Sequence, residues 1–374
     1  MGITKIKIIL VACIFTFFAT SCETEGDGSN TLSGGGAGGA GGSGSFGNWL
    51  IPVNEVRDGG PGKDGIPALQ DPDFLEAGQA SYLREDDLVV GYKRGNDIRA
   101  YSHNVLDWHE IVNDQVGDFP VAITYCPLTG TAIGWGRSVD GNTTTFGVSG
   151  LLYNTNLIPY DRSTDSNWSQ MRLECVNGSL IGNKVETFQV VETTWGTWKS
   201  MYPSTRVISN VTGFNRNYSV YPYGDYRTNH NNLIFSISPD DNRIPRKDRV
   251  LGVIVNDEAK VYEISKLKSQ VIAINDEFNG DKLVVVGSKS QNFMVAFNRT
   301  LEDETVLEFE PVQNEGAVIL KDNEGNTWNI FGEAVAGNRA GSALPGTSSF
   351  IGYWMAWGSF YPGAEIYEFT GNEY

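Results

Sequence analysis

Two residues with reactive side chains stand where a buried sheet is expected. Cys126 ends the run Val121 to Cys126 and is followed at once by Pro127, Leu128, Thr129 and Gly130. His109 lies between Trp108 and Glu110, just ahead of Asn113 and Asp114. Thiolate and imidazole together are soft-to-borderline ligands that suit copper first and zinc second. A closed zinc site takes four ligands, so Met171, Met201 or a carboxylate has to complete that reading. The same pair suits a nucleophile. A histidine lowers the pKa of a cysteine, and Asn113 or Asp114 would orient its ring. The plain alternatives are an inert buried thiol and a disulfide from Cys126 to Cys175, which an oxidising compartment permits.

The elements that must position these residues read as short strands separated by Gly, Asn and Asp turns: "LVVGYK", "IRAYS", "EIVND", "VAITYC" and "TTTFGVS". Short helical pieces are expected at "SHNVLDW" and "EISKLK", and two aromatic ones at "TTWGTWKSMYP" and "FIGYWMAWGSFYP". Residues 71–83, with Pro72 near their start, predict one more short helix. The fold class is therefore α+β and β-dominated. Four blocks recur in the same order, which points to an internal duplication with two tandem related lobes. "VVGYKRGNDIRAYS" parallels "VLGVIVNDEAKVYE", and Asn113-Asp114 parallels Asn275-Asp276. "WSQMRLECVNG" parallels "WNIFGEAVAG", and "WKSMYPSTRV" parallels "WGSFYPGAEI".

In this alignment Trp108, His109, Cys126, Pro127, Thr129 and Gly130 have no equivalents in the second copy, whereas Cys175 faces Ala334 and reads as core. His103 reads as a helix cap or a solvent-facing residue, and His230 as a surface residue. The Trp-rich helices read as core.

The N-terminus predicts an address. Lys5 and Lys7 precede the apolar run Ile8 to Phe18, then Ala19-Thr20-Ser21 and Cys22. That order is an export signal over 1–21 with a lipidation site at Cys22. An acidic and then Gly/Ser-rich tether over 22–48 follows. The first lobe with the inter-repeat segment then covers 49–248 and the second lobe 249–374. The net charge is -17, with 28 basic and 45 acidic residues. So acidic a surface repels nucleic acid and anionic lipid headgroups.

"WHEIVND", "TYCPLTGTA", "FGVSGLLYNTNLIPYDRSTDSNWSQ" and "ETTWGTWKSMYPSTRV" together resemble the bacterial and archaeal family called domain of unknown function 3179. The resemblance implies a fold and a location more than a reaction. Many members read Cys-Pro-Leu-Cys where this chain has Cys126-Pro-Leu-Thr129, so a dithiol is not expected here.

The reading that collects these observations is a lipid-anchored protein of the cell envelope, on the outer membrane or at the cell surface. Its first repeat holds a site with Cys126, His109, Asn113 and Asp114 as the reacting group. Trp108, Tyr125, Thr129, Trp168 and Gln170 are the binding residues. Copper or zinc is the expected cofactor, and a small molecule or glycan the expected ligand. One rival is a non-catalytic surface module for glycan or protein, using Tyr218, Tyr221, Tyr223 and Tyr226. Another is a Cys-His hydrolase or transferase.

Overall fold

The computed structural model describes residues 48–371 and residue 373. The export signal, Cys22 and the tether as far as residue 47 lie outside the described residues.

Short, largely buried strands broken by Gly, Asn and Asp turns build two sets of sheets. In the first half, β1 (Leu88–Arg94) and β2 (Asp97–Ser102) form a hairpin that runs into helix α1 (His103–His109). A three-strand meander follows: β3 (Ile111–Val116), β4 (Phe119–Cys126) and β5 (Thr131–Gly136). A third sheet carries Phe146–Tyr153, Asn156–Asp161, Asn167–Ser169 and Glu174–Asn177. Strand β6 (Val191–Thr194) then returns to pair with β1 and leads into α2 (Trp195–Met201).

The second half lays down its sheets in the same order. β7 (Arg249–Val255) and β8 (Glu258–Glu263) pair. β9 (Ile272–Phe278), β10 (Asp281–Ser288) and β11 (Phe293–Asn298) form the meander. A four-strand sheet runs from Phe309 to Ala336, and β12 (Ser348–Tyr353) returns to β7 ahead of α3 (Trp354–Phe360).

Individual bonds also repeat. The Asn113 amide spans Phe146, donating to its carbonyl at 2.8 Å and accepting from its N–H at 2.7 Å. Asn275 does the same with Phe309 at 2.8 and 2.9 Å. Asp114 accepts from Tyr101 and Asp276 from Tyr262, both at 2.7 Å. A Cβ on Gly91 would collide with the Trp198 ring, and one on Gly252 with the Trp357 ring. Glycine is what lets each helix lie flat on its sheet.

The halves dock reciprocally. The Tyr353 N–H, at the end of β12, donates to the Thr129 carbonyl in the β4–β5 turn at 2.7 Å. The Thr193 hydroxyl, on β6, donates to the Gln291 carbonyl in the β10–β11 turn at 2.6 Å. Between the halves, 209–248 contain no helix or strand among the described residues. This strap lies on the β4–β5 turn and is pinned by Lys247. The buried Lys247 ammonium donates to the carbonyls of Tyr226, Asn229 at 2.9 Å and Asn232 at 2.6 Å.

The helix expected over 71–83 is instead the strand Phe74–Glu76 followed by one 3-10 turn, Ala77–Gln79. Pairing with Arg206–Ile208 at the sheet edge overrides the local helical pattern. No described helix is long and apolar enough to cross a membrane.

Candidate functional site

His109 and Cys126 occupy different surroundings. His109 ends α1, is fully buried, and has both ring nitrogens engaged. Nδ1 lies 2.7 Å from the Pro67 carbonyl and Nε2 lies 2.7 Å from the Tyr218 hydroxyl. Burial lowers its pKa in spite of the carbonyl. The Cys126 sulfur points to the Thr155 carbonyl at 3.6 Å. Asn113 and Asp114 are taken up by Phe146, Leu69, Arg99 and Tyr101, so neither orients the imidazole. Cys126 and Cys175 are both free and buried, not joined. Among the described residues, no group of three or more His, Cys, Asp or Glu side chains is placed to hold a metal ion.

The other expected binding residues are scattered. Trp168 donates to Asp161 in the core and packs against Trp135 and Phe146. Trp108 donates to the Val220 carbonyl at 3.1 Å. Met171 is core, with its N–H on Asn156, and Met201 is buried in the other cluster. Gln170 and Thr129 join Thr124, Thr131 and Asn156 in a closed buried polar network behind the β4–β5 turn. That network fixes the turn on which Cys126 sits.

The charged group that bears on Cys126 is Glu110, the residue beside the histidine. Glu110 caps α1 with φ 58° and ψ -35°, a conformation that costs a side-chain-bearing residue energy. This turn carries its carboxyl into the interior, where burial pushes its pKa up to about 8. The Tyr223 hydroxyl, from the strap, lies 3.5 Å away. Burial first, and the Glu110 charge second, push the Cys126 thiol up to about 11. Three groups oppose that shift and favour the thiolate: the Thr129 hydroxyl and the backbone N–H groups of Leu157 and Thr129. The sulfur thus has donors waiting for a charge that its surroundings otherwise suppress.

Tyrosines close the corner. Tyr226 donates to the Leu128 carbonyl at 3.0 Å and Tyr221 to that of Pro127 at 3.4 Å. Gly130, at φ 60°, lies under the Tyr353 ring, where a Cβ would come within 2.8 Å. Tyr218 and Tyr226 are buried, so they form no exposed aromatic platform. His103, expected at a cap or in solvent, is also buried, with its ring 4.5 Å from that of Tyr125.

In the second half Ser288 ends β10 as Cys126 ends β4, pairing across its turn in the same way. Ser288 thus holds a similar strand-end position, with a hydroxyl in place of the sulfur. An open depression of about 580 Å³ lies elsewhere, at Arg172, Glu174, Lys184, Glu258, Tyr361 and Glu365. Its carboxylates are already met by Arg172, Lys184, Lys260 and Asn279.

The sequence singles out Cys126, Tyr125 and Thr129 but not Glu110, nor Asp107, Glu192, Arg227 and Arg249, which with His103 gather near Tyr125 and Tyr353. The spacing of His103 and Asp107 on one helical face was a usable signal. Glu192 and Arg249 meet only in the fold.

These features mark a β-dominated protein with a covered titratable corner. The chain belongs to the family described as protein of unknown function (DUF3179), whose model matches residues 63–364. No curated protein and no solved structure matches the chain.

Proposed function

We propose that this chain is an envelope protein tethered through Cys22, and that its folded part carries one covered site for single-thiol, carboxyl-assisted chemistry on a small molecule. Cys126 is the sulfur and Glu110 its proton partner. The observation that carries the reading is the pairing of a buried carboxyl, on the positive-φ cap of α1, with a buried thiol on which its charge bears, burial pushing the first up to about 8 and the second up to about 11. Perturbed titratable groups of this kind gather where a protein handles protons. Glu110 gives up its proton first, and its charge then helps to keep the thiol protonated. A metal site at Cys126 and His109 has no support in this geometry, since each group faces away to other partners.

The test is the pH profile of Cys126 alkylation by iodoacetamide, with Cys175→Ala as background. In the wild type the logarithm of the rate should break near pH 8, as Glu110 ionises and holds back the thiolate. In Glu110→Gln the break should vanish and the rate at pH 9 should rise several-fold. Identical profiles in the two proteins would remove Glu110 from the site and end this reading.

A further inference from the structure

Beyond Tyr125 lies a second set of side chains, which the thiol–carboxyl pair does not use. His103 and Asp107 stand one turn apart on α1, so they share a face. Glu192 arrives from β6, Arg227 from the strap and Arg249 from β7. Three buried polar atoms here have no hydrogen-bond partner: Nε2 of His103, Oδ1 of Asp107 and Oε2 of Glu192. Their residues are only 4, 4 and 6% exposed. His103 Nε2 and Glu192 Oε2 lie 3.5 Å apart, within ion-pair distance but at the limit of a hydrogen bond. Tyr125 and Tyr353 feel both carboxylates, which places the set around these two rings.

Native proteins leave few buried polar atoms unmet, because each has given up its hydrogen bonds to water. Three in one place mark a position for something that hydrogen-bonds. Its charge follows from the neighbours. The other oxygen of Asp107 accepts from Arg227 at 3.1 Å, and that of Glu192 accepts from Arg249. Each carboxylate already has its own guanidinium. A cation would meet two arginines and an anion two carboxylates, so what the corner lacks is neutral hydrogen-bond donors. We infer that His103, Asp107 and Glu192 form a subsite for a small neutral hydroxyl compound, a polyol or one edge of a sugar. Two of its hydroxyls donate to Asp107 and Glu192, and the His103 ring meets a third. The inference rests on the reading of the strap-covered corner as a ligand site, and adds the chemical class of the ligand.

The experiment is saturation-transfer NMR on the folded chain with glycerol, erythritol and glucose, with ethylammonium and acetate as charged controls. At least one of the hydroxyl compounds should receive saturation, and neither control should. Glu192→Gln and Asp107→Asn should each weaken that binding at least tenfold. Should either fail to fold, His103→Phe serves in its place, since it keeps the ring stacked on Tyr125 and removes the nitrogen. No transfer to any hydroxyl compound at tens of millimolar would mean that ordered water satisfies the three atoms, and would overturn the proposal. Preference for a charged control, or binding unchanged in the variants, would overturn it equally. The break in the Cys126 alkylation profile is read separately. If it is present without polyol binding, this inference fails and the thiol reading stands; polyol binding without the break has the reverse meaning.

Discussion

Replacing Glu110 by glutamine should change how stability depends on pH, and the size follows from the site. The ordinary value for this carboxyl is 4.5, and burial moves it to about 8 in the folded chain. Between those limits the folded protein keeps a proton that the unfolded chain has lost. Stability from this group is therefore fully present below pH 4.5 and is lost as pH rises through about 8. Each pH unit in that window is worth ~1.4 kcal/mol, so the full swing is about 5 kcal/mol. The glutamine in Glu110→Gln would be neutral in both states and have no such swing. It keeps the shape of the side chain and gives up at most a 3.5 Å contact with Tyr223, too long to be worth much. Urea unfolding of both proteins at pH 5, 6, 7 and 8 measures the difference. The two should be nearly equal near pH 5, and the variant should be ahead by several kcal/mol at pH 8. Asp107, which burial pushes up to about 6, is common to both proteins and cancels. Parallel curves across the four pH values would mean that the Glu110 carboxyl reaches solvent, and would refute the argument.

Two further outcomes follow from single positions. Gly130→Ala places a methyl group within 2.8 Å of Tyr353 at φ 60°, so it should cost about 2–4 kcal/mol from overpacking and backbone strain together. Gly141→Ala, at φ 74° with open space around it, should cost only the backbone part; equal urea midpoints for the two would contradict the clash. In full-length chain expressed in a bacterial host, Cys22→Ala should move the protein from the membrane fraction to the soluble one and abolish labelling by radioactive palmitate. Unchanged partition would remove the lipid anchor.

Much of the scaffold was legible because it is written in local pattern. Short runs between Gly, Asn and Asp turns marked β1 to β4, and the aromatic runs enclosed α2 and α3. Residues 71–83 were misleading because their pairing partner, Arg206–Ile208, is remote in sequence. At the site, Cys126 stood out through the Pro and Gly that shape its turn. Glu110 did not, because His109 draws attention from it and its burial follows from a positive φ that the sequence does not announce. The strap tyrosines looked like a surface patch. Tyr218 and Tyr226 are buried and Tyr221 and Tyr223 half-buried, because their hydroxyls meet His109, the Leu128 and Pro127 carbonyls and Glu110, a match of positions that composition does not reveal.

The crosswise clasp of the two halves bears on how anything could reach the sulfur. Because each half rests the end of its returning strand on the other's turn, opening the molecule at its waist would break both clasps at once. The strap over the β4–β5 turn has no sheet pairing to break, and the Lys247 ammonium, held by three carbonyls, is what fastens it.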